Sequence, residues 1–331
     1  MRGREKAMSI NLKNPIYNNE IKAREHLESL RWPDGAYCPR CGGFEVVKLG
    51  GKAADLGQYN CRDCRKKFTV TVGTVFERSH IPLTKWLLGF QLMASSKKGM
   101  SAHQLHRMLD VTYKTAWFMA HRIREAMKPA SGSKEPMGGK GKVVEADETY
   151  FGKVSKENIK TVDEKGKPFK GSRMGRGPAN KRAVIALVER GGKARTFHVA
   201  HATFAKVEEI VAFNIDRESR LHTDESRLYS ASLVPGMVAK HETVRHSADE
   251  YVRGDVYSNS AENYFSIFKR GMRGVYQHCS EKHLHRYLAE FDFRYSNRVA
   301  LGVDDTDRAN EALKGITGKR LTYRRTSEAR L

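Results

Sequence analysis

No apolar run in this chain is long enough to cross a bilayer. The opening residues, Met1 to Lys6, carry charge with no apolar stretch behind it, so a secretory leader is not expected. Both absences argue against a membrane partner. Acid is short too: 38 Asp and Glu face 60 Lys and Arg, a formal charge of +22 over 331 residues. Such an excess strains a compact fold by self-repulsion and is tolerated chiefly for a polyanionic partner. Nucleic acid leads, because phosphate neutralisation by Lys and Arg dominates its binding energy. Cysteine is scarce, and four of the five sit in two Cys-x-x-Cys pairs, which favours metal in a reducing compartment over disulfides. No internal repeat is visible. A hydrophobic fraction of 39% suffices for real cores, and the length suggests two or three domains.

Along the chain, residues 1–35 read as a helical lead-in, with Ile21, His26, Leu27 and Leu30 at roughly helical spacing. Residues 36–76 hold the cysteine pairs among short strands, and a helical stretch runs from Pro82 to about Met127. Residues 129–142 are rich in Gly, Pro and Ser and read as a linker. Residues 153–180 hold eight Lys and Arg against three acids and read as a basic loop insert. A strand from Val143, a hairpin about Gly191 and Gly192, a helix from Phe204 to Phe213, a strand ending at Asp224 and helices near Glu262 and from His283 to Tyr295 follow. That order describes an α/β layer over 143–300 built on a mixed sheet. Residues 301–331 read as a basic tail that frays beyond Thr317.

Cys38-Pro-Arg-Cys41 and Cys61-Arg-Asp-Cys64 lie nineteen residues apart. Two such knuckles can close a tetrahedral thiolate site between hairpins, suited to zinc or iron and without an open position for chemistry. The remaining Cys279 reads as a buried small hydrophobe. Further on, Ser101 and Thr112 stand as N-caps of two short helical patterns separated by a break at Asp110 and Val111. The second would pack Trp117, Ala120 and Ile123 inward and leave Lys114, Thr115 and Arg122 outside. The pattern suits a helix-turn-helix over 80–128 with its second helix in a major groove, although an ordinary helical hairpin looks the same.

Period-two alternation on the strand from Val143 places Glu145, Asp147 and Thr149 on one face and Glu148 on the other. A carboxylate at the centre of an apolar strand is costly unless paired or metal-bound. On the helix from Asn259, Glu262 and Lys269 share a stripe about 10 Å long, with Arg270 at its basic end. By itself that stripe is what a solvated helix face looks like. Two strand-borne aspartates, Asp147 and Asp224, and one helix-borne glutamate, Glu262, can nevertheless converge on hard divalent cations.

At these residues the chain resembles the DDE insertion-sequence transposases, in the branch that carries a zinc ribbon before an RNase H-like catalytic domain. The likeness rests on Cys38 to Phe76, Val144 to Gly152, Leu221 to Asp224 with Tyr229, His246 to Tyr251, Asn259 to Arg270 and Phe293 to Arg298. It spans about residues 15–300. It implies zinc on Cys38, Cys41, Cys61 and Cys64, and Mg²⁺ or Mn²⁺ on catalytic Asp147, Asp224 and Glu262. It implies a DNA contact at Lys269; the basic end of that helix adds Arg270, and the helix-turn-helix pattern adds Lys114, Thr115 and Arg122. Asn259 and Asn263 compete with Glu262 for the third position, and Glu145 and Glu148 flank Asp147. The expected protein is a bacterial, cytoplasmic, nucleoid-associated enzyme that cuts and joins double-stranded DNA at element ends and in a target, as a dimer or larger multimer. A DNA-binding regulator would explain residues 36–128 but leave the acids unemployed; a nuclease of the same fold would cut without joining.

Overall fold

The computed structural model describes residues 11–129, 135–153, 180–229 and 236–322. The chain forms two compact units, Met1–Pro129 with Arg298–Leu331, and Ala130–Asn297.

In the first unit, α1 (Glu20–Arg31) starts at Asn19, whose side chain accepts from the Lys22 amide, and buries Ala23 and Leu27. Ile21, on the same predicted stripe, is instead exposed. Three short antiparallel strands follow: β1 (Val46–Lys48), β2 (Tyr59–Cys61) and β3 (Lys67–Phe68), with the single-turn α2 (Lys52–Asp55) inside the first connection. Their apolar side is an aromatic group in which Trp32 meets Tyr59 and Phe68 edge-on. The helix α3 (Leu83–Ser95) begins directly behind Pro82 and buries Trp86 and Phe90 against Phe76. Then α4 (Ala102–Leu109) and α5 (Tyr113–Met127) meet at Asp110, which adopts the left-handed conformation at φ 48°. Ser101 and Thr112 accept from the Gln104 and Thr115 amides, caps worth about 1 kcal/mol each.

The second unit is a five-stranded sheet in the order β6-β5-β4-β7-β8. Its strands are β4 (Val143–Phe151), β5 (Arg182–Glu189), β6 (Ala194–Val199), β7 (Arg220–Thr223) and β8 (Lys240–Thr243). Strands β4 to β6 pair antiparallel, whereas β7 and β8 join parallel. The crossover from β6 to β7 is α6 (Phe204–Asn214), and α7 (Asn259–Gly271) and α8 (Leu284–Ser296) follow β8. This is the RNase H-like arrangement. Strand β5 is apolar from Ala183 to Val188 because both its faces are covered. Ile185 and Leu187 join Val144 and Ala146 of β4 under α6, while Val184, Ala186 and Val188 pack under α7 and α8. Glu145, Asp147 and Thr149 lie opposite Val188, Ala186 and Val184. Directly paired residues share a face, so these three point towards α7, as the alternation predicts.

Of the expected linker, residues 130–134 lie outside the described residues, but Met137 is a core residue. Its amide donates to Asn214 O and its carbonyl accepts from Asp216 N, lacing it to the end of α6. The basic insert lies, from 154 to 179, outside the described residues. Cys279 is half-buried rather than buried, its thiol donating to the Ser280 carbonyl.

Beyond residue 298 the chain belongs to the first unit, and the expected tail contains a helix, α9 (Asp305–Lys314), capped by Asp304. Ala309, Ala312, Leu313 and Ile316 are buried at helical spacing. Residues 323–331 lie outside the described residues. Arg122 also departs from expectation: it is 8% exposed. Its Nε donates to Leu321 O at 3.2 Å, Nη1 donates to Glu77 O at 3.4 Å, and the guanidinium lies over Phe118. A guanidinium stem covers apolar surface well, and two carbonyls here replace its water. Arg122→Ala should therefore lower stability by about 2 kcal/mol through lost charged hydrogen bonds, with DNA affinity nearly unchanged. Thermal melting and an end-binding titration on one preparation check this; weakened binding at unaltered melting would return Arg122 to the DNA contacts.

Candidate active site

Asp147 sits near the middle of β4, Asp224 just past the end of β7, and Glu262 in the first turn of α7. Asp147 is the focus. Burial pushes its carboxyl up to about 7, and the neighbouring charges of Glu148, Asp224 and Glu262 push the same way. The Glu148 amide, donating to Asp147 Oδ1 at 2.8 Å, only partly opposes them. Asp224 Oδ1 accepts from the Ser226 amide at 3.0 Å. Glu262 is more open, its side chain 47% exposed, with the Ser258 hydroxyl donating to Oε1 at 3.3 Å and His246 Nε2 at 3.7 Å. Asn259 and Asn263 stand exposed in the same first turns of α7.

The two flanking glutamates are placed differently. Glu145 is fully buried and accepts from Arg190, from the Ser260 hydroxyl and from the Ser260 and Ala261 amides. Glu148 lies on the α6 side, where the Ser226 hydroxyl donates to its Oε1 at 3.3 Å; burial and then Asp224 raise its carboxyl. Tyr229 is buried beside these acids, its phenol pushed well above the ordinary value by burial and then by Glu148, Asp147 and Asp224. On β7, His222 falls to about 4 through burial and the charges of Arg190 and Arg220, so it stays neutral at physiological pH.

Such a cluster has the donor chemistry of a divalent-cation site: carboxylate oxygens, mutual repulsion and partial burial. Lys269 and Arg270 lie at the far end of α7, Lys269 half-buried and Arg270 donating to Ser266 Oγ at 2.5 Å. In the first unit, Lys114 is exposed, and the Thr115 hydroxyl is hydrogen-bonded to Thr112 at 2.9 Å.

The four thiols also converge. Cys38 and Cys64 Sγ are 3.7 Å apart, Cys41 and Cys61 3.6 Å, and all four sulfurs lie within 4.8 Å of one another. Tetrahedral zinc with bonds of about 2.3 Å separates its sulfurs by roughly 3.8 Å, so the set fits zinc. Burial works against the Cys38 thiolate, but the Cys41 and Arg40 amides outweigh it and draw the thiol down to about 7. Among the described residues this is the sole group of three or more metal-binding side chains packed so closely; the acids stand wider apart.

Sequence reasoning passed over Arg190, His222 and Ser226. Arg190 reads as part of a hairpin turn before Gly191 and Gly192, and the only signal available is a charged residue where a turn needs none. None of the described helices is long and apolar enough to cross a membrane.

Comparison with known proteins finds a transposase domain over the sheet unit and a zinc-ribbon domain over the cysteine pairs. Residues 138–296 match an ISXO2-like transposase domain, and residues 18–67 match a transposase zinc-ribbon domain. An uncharacterised protein in the transposable element ISH50 of Halobacterium salinarum is 29% identical over 282 residues, 83% of this chain and 90% of that protein. The chain belongs to the DDE insertion-sequence transposases that carry a zinc ribbon and an ISXO2-like catalytic domain.

Proposed function

We propose that this transposase binds the ends of its element and cuts and joins DNA with Asp147, Asp224 and Glu262 as one divalent-metal site. The observation that carries the reading is the electrostatic convergence of three acids, from a strand, a strand end and a helix, on a partly buried Asp147. Divalent cations, when bound, supply Lewis acidity at phosphate oxygens and lower the pKa of water. The carboxylates hold that charge in place and orient the phosphodiester. In the first step a water oxygen bonds to phosphorus while the 3′-oxygen leaves, freeing a 3′-hydroxyl. In the second that hydroxyl attacks a target phosphodiester, one P–O bond forming as another breaks.

The ribbon of residues 36–76 and the helices of 80–128 supply end binding, with Lys114 and Thr115 at the start of α5 facing DNA. Lys269 and Arg270 hold the strand near the acids, about 10 Å from Glu262 along α7. Pairing two ends calls for two active sites, hence a dimer or larger multimer, acting in the cytoplasm at the nucleoid.

A strand-transfer assay on candidate end DNA tests the reading: cleaved and joined products are expected, and cleavage without joining would reduce the protein to a nuclease. Glu262→Gln should lose both steps. Near-normal products from Glu262→Gln, with loss in Asn263→Ala, would move the third ligand to the asparagine.

The pH dependence has a definite sign. A carboxyl raised to about 7 in the fold from an ordinary value of 3.8 stabilises the metal-free protein most below 3.8, a contribution lost as pH rises through 7. Metal needs the ionised form, so the gain in melting temperature on adding Mg²⁺ should be small at about pH 5.5 and grow to about pH 7.5. A gain independent of pH over that window would detach Asp147 from the metal.

A further inference from the structure

One layer beneath the acids, their three elements are tied to a single arginine. Arg190, just after β5, donates from Nε to Glu145 Oε1 at 2.9 Å and from Nη2 to Tyr257 O at 3.1 Å, and Nη2 lies 3.2 Å from His222 Nδ1. Its Nη1 donates to Asp255 O at 2.8 Å, and its guanidinium lies 3.6 Å from the centroid of the Tyr257 ring. Glu145 uses its remaining acceptors on α7: Oε2 takes the Ser260 amide at 2.7 Å and the Ala261 amide at 3.1 Å, and Oε1 takes the Ser260 hydroxyl at 3.0 Å. Ser258, at the N-cap position of α7, makes no side-chain capping bond. A carboxylate from β4 caps that helix instead.

The positions of these contacts are informative. Glu145 precedes Asp147 by two residues on the same face of β4. His222 precedes Asp224 by two residues at the end of β7. Ser260 and Ala261 directly precede Glu262 in α7. One ion pair therefore reaches each acid-bearing element within two residues of its acid. Buried ion pairs are poor sources of net stability compared with apolar packing. What a guanidinium fork provides is direction, because its donors are fixed in one plane.

We propose that Glu145 and Arg190 are positioning residues of the metal site: the pair sets the spacing of Asp147, Asp224 and Glu262, and through it the affinity for divalent metal. Neither residue is a ligand in this scheme, since the Glu145 oxygens are taken by Arg190, Ser260 and Ala261. The inference rests on the reading of those three acids as the metal site. Loss of outer partners of this kind typically weakens metal binding by about ten- to hundred-fold.

The test uses the full-length, zinc-loaded protein carrying Arg190→Lys, Glu145→Gln, or both Glu145→Gln and Arg190→Gln. The double variant leaves no lone buried charge, so it stays folded if a single variant does not. Mn²⁺ binding is measured by electron paramagnetic resonance without DNA, and cleavage of end DNA is titrated with Mg²⁺. The dissociation constant for Mn²⁺ should rise at least tenfold in the folded variants. The Mg²⁺ concentration for half-maximal cleavage should move in parallel, with the rate at saturating Mg²⁺ recovering to within a few-fold of wild type. Zinc content and end binding should hold. Lower melting temperatures with unchanged Mn²⁺ affinity and Mg²⁺ dependence would make the pair merely structural and overturn the proposal. Asp147→Asn separates the two readings: if it abolishes Mn²⁺ binding while the pair's variants bind normally, positioning alone fails. If Asp147→Asn binds Mn²⁺ as wild type does, the metal site itself falls, and positioning with it.

Discussion

Asp147→Asn is expected to give a folded protein that still binds element ends and no longer cuts them, with cleavage in Mg²⁺ reduced by about three orders of magnitude or more. The direction follows from charge. Asparagine keeps the shape of the side chain and an Oδ1 that still accepts the Glu148 amide, so the local geometry of β4 survives. What disappears is one carboxylate charge at the focus of the cluster. If metal stabilisation of the transition state falls by about 4 kcal/mol, the rate falls about a thousandfold, since each 1.36 kcal/mol is a factor of ten. The same substitution should raise the melting temperature of the metal-free protein slightly near pH 8. At that pH Asp147 is ionised against the like charges of Glu148, Asp224 and Glu262, and a neutral amide relieves the repulsion. More stable and inactive is an unusual pairing for a core-facing substitution, and it distinguishes a metal ligand from a structural carboxylate. Cleavage within tenfold of wild type by a folded Asp147→Asn would defeat the site.

Local pattern carries much of this molecule. Alternation on β4 by itself puts Asp147 on one face of the strand and Glu148 on the other, and these are the faces that α7 and α6 cover. Ser101 and Thr112 announce the starts of α4 and α5 because capping is a one-turn interaction, visible within three residues. The spacing of the cysteines needs only the geometry of a thiolate tetrahedron. Most failures share a cause: dependence on a partner far away in sequence. Arg122 sits on the polar stripe of α5 by spacing alone, and only the return of residues near Leu321 buries it. Met137 lies in a glycine-rich segment that reads as a linker until the end of α6 pairs with it. Glu145 looks like a rival of Asp147 until Arg190 and the α7 amides occupy its oxygens. The helix α9 was legible, with Asp304 as cap and Ala309, Ala312, Leu313 and Ile316 at helical spacing. The basic residues that follow Thr317 masked it.

Zinc removal should unfold the ribbon and abolish end binding together. The strands β1, β2 and β3 have three, three and two residues, far below what an isolated sheet needs to stand alone in water. Their apolar support is small: Trp32, Tyr59 and Phe68, with Phe44 and Leu56 left largely exposed. Structural zinc contributes about 10–16 kcal/mol in comparable small sites, so zinc on the four thiols would supply most of what holds the strands in register. Cys61 lies in β2 itself, paired with Val46 of β1, so losing the metal frees the middle of the ribbon rather than its edge. After strong chelation, amide protons of residues 46–68 should exchange at nearly unfolded rates, while those of β4 and β5 stay protected, because that sheet contributes none of the four thiols. Cys41→Ser should do the same without a chelator, losing zinc by elemental analysis and end affinity in one step, while Mn²⁺ still binds the acids. Two results would defeat this account: wild-type protein purified with no zinc, or a chelated chain that keeps protection in β2 and binds ends undiminished. In either case the tetrahedron of sulfurs would be incidental, and the short strands would have to be held by packing that their few apolar side chains do not provide.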